Sequence, residues 1–267
     1  MSPRDVEPEH VLDLMKTAAA EIVMPRFRAL AEGEINEKDG GELVTVADIE
    51  TEKWLTRRLP DLLPGSVVVG EEAVFENKLV FDRLADEEPV WIIDPIDGTW
   101  NFAHGRSIFA VMISLVFRGE VIGGWIYEPV HELTVTGMRG AGVVMNEEAI
   151  RLDRAEWSGE VVGTAARYLF ERAEARPDII SQVHRPNCAG HEYVLILSGE
   201  RAFSAYTKLM PWDHVAGSFL VTEAGGYSAL LDEGQYDFVR PDGDLLTAAS
   251  SEMWHNIRAV LDQPTPE

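Results

Sequence analysis

A chain of 267 residues, 46% of them hydrophobic, can bury a full core and fits one large domain or two closely packed halves. Its 46 acidic residues outnumber 23 basic ones, and the net charge of −23 is spread along the chain; such a surface repels nucleic acid and anionic lipid, which are bound mainly through Lys and Arg. No apolar run approaches membrane-span length, MSPRDVEPEH lacks signal-peptide features, and Cys188 stands alone, so the expected setting is cytoplasmic and reducing, with Cys188 a small buried hydrophobe.

From His10 to Leu30, Val11, Leu14, Met15, Ala18, Ile22 and Phe27 recur at helical spacing, with Pro25 expected to interrupt the last turn. A polar loop, GEINEKDGGE, leads to LVTVAD, where Asp48 can cap a second helix that Pro60 and Pro64 stop. SVVVG reads as a strand ending at Glu71-Glu72, and VWIID as another ending at Asp94. From Ser107 to Met145 the pattern is an antiparallel meander with turns at Arg118-Gly119-Glu120 and RGAG. Strand-like runs VVGTAA, GYSALL and LLTAAS then alternate with helical ones over 192–197, 214–223 and 252–261. The chain thus reads as one domain, 1–267, of two halves: an α+β half, 1–149, and an α/β half, 150–267.

The stretch WIIDPIDGTWNF carries the first chemical signal. Asp94 closes a buried strand, Pro95 stiffens the turn, and Asp97 returns to the same side, so two carboxylates can converge on one cation. Hard divalent cations such as Mg²⁺ take oxygen ligands of this kind, including a main-chain carbonyl, for which Ile96 is placed. A helical turn starting at Thr99 would set free N–H groups beside the metal, and Gly98 lets a ligand approach the main chain. A metal beside an anion site points to phosphate. The same letters also suit an Asx-type turn capping a helix. Two further sites add weight: adjacent Glu71 and Glu72 after a buried strand are costly without a counter-ion, and Asp213 opens the helical run after PW.

GEE at 70–72, WIIDPIDGTWNF at 91–102 and PWDHVAGSFLVTEAGG at 211–226 resemble, in order and spacing, the signature segments of the inositol monophosphatase family. LVTVAD at 43–48 and GWIYEPVHELTVTGMRGAG at 124–142 are similar as well. The resemblance implies an α+β fold, the αβαβα layered sandwich of the inositol monophosphatase and fructose-1,6-bisphosphatase type. It also implies Mg²⁺-dependent hydrolysis of a small phosphorylated metabolite, lithium sensitivity and a homodimer. Two or three Mg²⁺ ions would be held by Glu71, Asp94, the Ile96 carbonyl, Asp97 and Asp213, with Glu72 in the outer shell. Asp48 and Thr99 would orient the attacking water beside Glu71, and the Gly98 and Thr99 amides would bind phosphate.

Other phosphatase chemistries fit less well. A nucleophilic aspartate in D-x-D-G-T would need a different spacing, a cysteine phosphatase needs Arg at 194 where Val stands, and none of the seven histidines forms a zinc-type pair. A scaffold retained only for binding would be expected to lose a metal carboxylate, and none is lost. The departures lie in the substrate wall: His214 follows Asp213, CAGHEY occupies 188–193, and Tyr206 stands where inositol-selective members carry a glutamate. Tyr206, His191, Arg185 and Lys208 are the candidates to contact substrate. That set leaves histidinol phosphate, fructose 1,6-bisphosphate and 3'-phosphonucleotides as alternatives to inositol monophosphate.

Overall fold

The computed structural model describes residues 2–38, 40–152, 159–185 and 187–263, so the outer limits of the two predicted halves, 1 and 267, lie outside the described residues. Helix α1 (Pro8–Ala18) buries Val11, Leu12, Met15 and Ala18 and continues as a π-helical turn over Ala19–Val23. The predicted helix to Leu30 is cut short there. Pro25 has no N–H to continue the ladder, and the bond from Met24 N to Ala19 O, 2.8 Å, closes just before it.

Strands β1 (Ile35–Glu37) and β2 (Leu43–Thr45) form an antiparallel hairpin ahead of α2 (Val46–Thr56). Thr45, not Asp48, is the N-cap of α2; Asp48 is the third helical residue and closes a capping box onto Thr45. Pro60 does not stop α2, which ends at Thr56; it sits in the first turn of α3 (Leu59–Leu62), where a missing N–H costs little. Next come β3 (Val67–Gly70), α4 (Glu71–Glu76), β4 (Val90–Asp97) and α5 (Thr99–Ala103). The predicted meander is β5 (Ala110–Phe117), β6 (Glu120–Glu128), β7 (Leu133–Met138) and β8 (Gly142–Met145), and the structure adds β9 (Glu148–Ile150) beyond it. Beyond it lie β10 (Val162–Ala165), α6 (Tyr168–Glu174), β11 (Gln182–His184), α7 (Ala189–Leu197) and β12 (Phe203–Tyr206). The remaining elements are α8 (Pro211–Glu223), β13 (Tyr227–Leu230), β14 (Leu245–Ala248) and α9 (Ser251–Leu261). The short β11 and β12 show no alternation in the sequence and are fixed by parallel pairing on either side of β10.

Two sheets organise the fold. One runs β3-β4-β5-β6-β7-β8-β9, parallel only between β3 and β4; the other runs β11-β10-β12-β14-β13. Strand β5 is buried on both faces and distributes its side chains by the period of two: Val111, Ile113 and Leu115 pack with α1 and α2, whereas Ala110 and Met112 pack with α7 and α8. Helices α7 and α8 also meet the second sheet through Tyr206 and Leu245, and α6 and α9 cover its far face around Phe203, Leu246 and Trp254. The layers are therefore α, β, α, β, α. Among the described residues no helix is long and apolar enough to cross a membrane.

The middle layer is tightly built. A Cβ on Gly217 of α8 would lie 1.9 Å from the Tyr193 ring of α7. Gly217→Ala must therefore push the two helices apart or displace Tyr193, and it should cost about 1–3 kcal/mol, seen as a lower midpoint in thermal unfolding.

Candidate active site

Strands β3 and β4 run in parallel with Gly70 beside Ile93, so Glu71, at the start of α4, and Asp94 emerge at the same sheet edge. In a regular strand Asp94 and Asp97, three apart, would face opposite sides. Here β4 holds one extra residue: Asp94 pairs with Met112 and Asp97 with Ala110, three steps against two. The bulge, at Pro95 and Ile96, turns Asp97 back to the side of Asp94. Both therefore face the middle layer, where Asp213 stands in the first turn of α8. Asp94 and Asp213 lie within hydrogen-bond reach of each other.

A cavity of about 760 Å³ opens on these groups, lined among others by Glu71, Asp94, Ile96, Asp97, Gly98, Thr99, Asp213, Lys38 and Lys208. Burial, then the charges of Glu71, Asp97 and Asp213, hold Asp94 well above the usual carboxylate range. Burial, Glu71 and Asp97 do the same to Asp213, with Lys208 opposing. As the side chains stand, no three acidic, His or Cys groups among the described residues close on a single point. Asp97 is the reason on its side of the cavity, because its carboxylate is taken by α7. It accepts from Gly190 N at 2.6 Å, Ala189 N at 3.1 Å and the Cys188 thiol at 2.9 Å. Cys188 is buried as expected, but as a neutral donor rather than a mere apolar filler; burial pushes its thiol up.

Asp48 and Thr99, predicted as a pair, are brought together across 51 residues. Asp48 Oδ2 accepts from Thr45 N at 2.8 Å and Thr45 Oγ1 at 2.5 Å, which leaves Oδ1 facing Thr99 Oγ1 at 3.2 Å. Thr99 Oγ1 also lies 2.9 Å from the Ile96 carbonyl. One hydroxyl proton cannot serve both acceptors at once. Burial pushes Asp48 up to about 7, against the Thr45 bonds that favour its ionised form. Gly98, at φ 84°, ends the bulged strand and starts α5; a Cβ there would also meet Ile108 O at 3.1 Å.

The counter-ion that two adjacent glutamates demand is Lys38. Its buried Nζ lies 2.8 Å from Glu71 Oε1 and 2.6 Å from Glu72 Oε1. Burial works against its charge, but Glu71 and Glu72 hold its pKa above the ordinary value. Glu52, also unremarked in the sequence, accepts from Glu72 N at 2.7 Å and Ala73 N at 2.8 Å, so it fixes the first turn of α4. Gly70 is required by that contact: a Cβ would lie 2.2 Å from the Glu52 carboxyl carbon. The acid pair announced a missing cation, but nothing local in GEINEKDGGE distinguishes Lys38.

Of the predicted substrate wall, the structure brings only half to the site. Tyr206 and Lys208 line a second cavity, of about 390 Å³, that adjoins the first. His191 is turned away: its Nδ1 lies 2.8 Å from Glu128 Oε1, and His131 takes the other oxygen at 2.8 Å. Once α7 aims the N–H groups of residues 189 and 190 at Asp97, the side chain at 191 has rotated to another face. Arg185 is also outside, exposed, 3.4 Å from Glu171 and stacked on Phe170. His214 is structural: Nε2 donates to Lys208 O at 2.8 Å, Nδ1 accepts from the Tyr193 hydroxyl at 3.1 Å, and burial lowers its pKa to about 4.

The sequence profile described as the inositol monophosphatase family matches residues 8–263. The chain belongs to that family. It is a phosphoric monoester hydrolase with the inositol monophosphatase fold. An inositol-1-monophosphatase of Mesorhizobium japonicum is 30% identical over 213 residues, 76% of this chain and 77% of that one. A fructose-1,6-bisphosphatase/inositol-1-monophosphatase of Thermotoga maritima is 31% identical over 191 residues, 69% and 70% of the two chains. Among solved structures, the extragenic suppressor protein suhB of Bartonella henselae superposes with TM-score 0.80 at 23% identity, covering 95% of this chain and 99% of that one.

The phosphatase keeps its buried acids at a cost that varies with pH. A carboxyl whose pKa is raised binds its proton more tightly folded than unfolded, so the stability it confers is present at low pH and lost as pH climbs through the folded value. Glu52, pushed up to about 7 mainly by burial, and Asp48, also about 7, place that window between the ordinary carboxylate range and about pH 7. In EDTA the unfolding midpoint should fall as pH rises across this window. Glu52→Gln should flatten the slope, as thermal melts at a series of pH values would show.

Proposed function

We propose that this phosphatase hydrolyses a small phosphate monoester with Mg²⁺ as cofactor. The observation that carries the reading is the set of buried Asp94 and half-buried Glu71 and Asp213 around one cavity, mutually repelling and faced there, among the lysines and arginines that line it, by Lys38, Lys78 and Lys208. The donors fit the ion: they are all oxygen, in excess negative charge, with the Ile96 carbonyl beside them. Glu71, Asp94, Ile96 O and Asp213 would hold Mg²⁺, and Asp97 would join by releasing one of its α7 donors. Bound there, the ions would supply a nucleophilic water at neutral pH and stabilise the leaving oxygen.

The chain's own groups do the rest. Asp48, fixed by Thr45, presents one oxygen to Thr99, and the Thr99 hydroxyl passes that orientation to the attacking water. The amides of Gly98 and Thr99 face the phosphate where β4 gives way to α5. Glu72 acts outside the ligand set, holding Lys38. Lithium inhibition, a homodimer and a cytoplasmic setting belong to the same reading.

Phosphate release from a panel of monoesters, inositol 1-phosphate included, should stop in EDTA and return with Mg²⁺. Asp213→Asn should stop it with the far-UV spectrum unchanged; turnover that survives both treatments would refute the metal-based reading.

Thr99→Ala and Asp48→Asn should each lower kcat by about 10- to 100-fold. If the two act as one unit, the double variant will be little slower than either single one; multiplicative losses would separate their roles.

A further inference from the structure

Three donors turn the Asp97 carboxylate toward α7, and one of them differs in kind from the other two. Gly190 N, 2.6 Å from Oδ2, and Ala189 N, 3.1 Å from Oδ1, are main-chain groups. Their direction is set by the helix, whose first turn is closed by the bond from Glu192 N to Cys188 O at 3.1 Å, so neither amide can turn away. The Cys188 thiol, 2.9 Å from Oδ2, hangs on a rotatable bond. Its sulfur also lies 3.6 Å from the main-chain oxygen of Asp97, which places a second, weaker acceptor within reach.

A thiol is a weak donor, and a buried thiol left unpaired behaves as a small apolar group, whereas a buried amide left unpaired carries a full desolvation penalty. Of the three bonds, the thiol's is therefore the one most easily given up. Cys188 is 3% exposed and seats against the turn after Asp97: a Cβ on Gly98 would lie 3.2 Å from its Cβ and 3.4 Å from its sulfur. Serine and alanine, being no larger, can replace it without crowding that turn. Cys188, Asp97 and Asp213 share the wall of the second cavity with Tyr206. The buried Tyr206 hydroxyl has no hydrogen-bond partner among the described residues, so this space is one that a ligand completes.

We propose that Cys188 is a positioning residue that sets the affinity of the acidic cavity for its divalent cation. Its thiol holds Asp97 toward α7 in the empty site and turns to the Asp97 carbonyl when the carboxylate is drawn to the ion. This deepens the Mg²⁺ reading above and rests on it. The two amides stay in place, so Asp97 is loosened on one side rather than released. A serine at 188 would donate more strongly and cost more when left unpaired, and so would hold Asp97 back; an alanine would have no bond to give up.

Cys188 is the single cysteine of the chain, so the S–H stretching band of the whole protein reports on this one bond. Infrared difference spectra in EDTA should place the band at the low frequency of a thiol bonded to a carboxylate, and Mg²⁺ should move it to higher frequency; Cys188→Ala, which lacks the band, assigns it. Calorimetric titration with Mg²⁺, without substrate, should show binding about 10-fold weaker in Cys188→Ser, the scale on which a group bonded to a metal ligand alters affinity, and tighter than wild type in Cys188→Ala. A merely structural contact would weaken binding in both. A wild-type band unmoved by Mg²⁺ that does bind would overturn the inference, since the ion then takes Asp97 through the lone pair left open on Oδ1 or does without it. Equal affinities in all three proteins, or weaker binding in both variants, would overturn it as well. Should a variant fail to fold, the wild-type band decides alone. If the wild type binds no Mg²⁺, the metal reading itself fails and the inference falls with it.

Discussion

Glu71, Asp94 and Asp213 border one partly enclosed cavity, where like charges repel and few cations compensate them. Such a cluster drifts apart or takes up protons unless its backbone is held on all sides. Each acid accordingly sits on a rigid element: Glu71 on α4, pinned by Glu52; Asp94 on β4, a strand buried throughout; Asp213 in the first turn of α8. The tension is functional. A site that repels itself when empty is one that gains most from a divalent cation.

The layered architecture is what makes this holding possible. The bulge at Pro95 and Ile96 works because β5 continues straight past it, and α8 reaches Asp94 because Gly217 lets it close on α7. α7 in turn spends its first N–H groups on Asp97. The middle helices are thus shared between the two sheets and the acids, so a packing change in one is felt in the other.

Charge is divided by place. Most of the 46 acids are solvated surface, and the basic residues that matter are few and specifically placed: Lys38 under Glu71 and Glu72, and Lys208 against Glu42. On so acidic a chain, anionic substrates are admitted by individual cations rather than by a general positive field.

Much of this was legible in the sequence because it is local. Apolar runs separated by turns at Arg118-Gly119-Glu120 and RGAG marked the meander, and Gly98-Thr99 marked the start of a helix. The separated motifs around Glu71, Asp94 and Asp213 identified the family. What the sequence could not decide depends on contacts between distant segments. Lys38 is joined to Glu71 across 33 residues, and Asp97 to Gly190 across 93. Tertiary pairing also turned His191 and Arg185 away from the cavity, since the direction of a side chain near a helix start is set by what that helix packs against. Residue type and spacing determined which chemistry the chain carries. Only tertiary packing decided which oxygens are already bound and which cations remain free, because desolvation and hydrogen bonding act through space rather than along the chain.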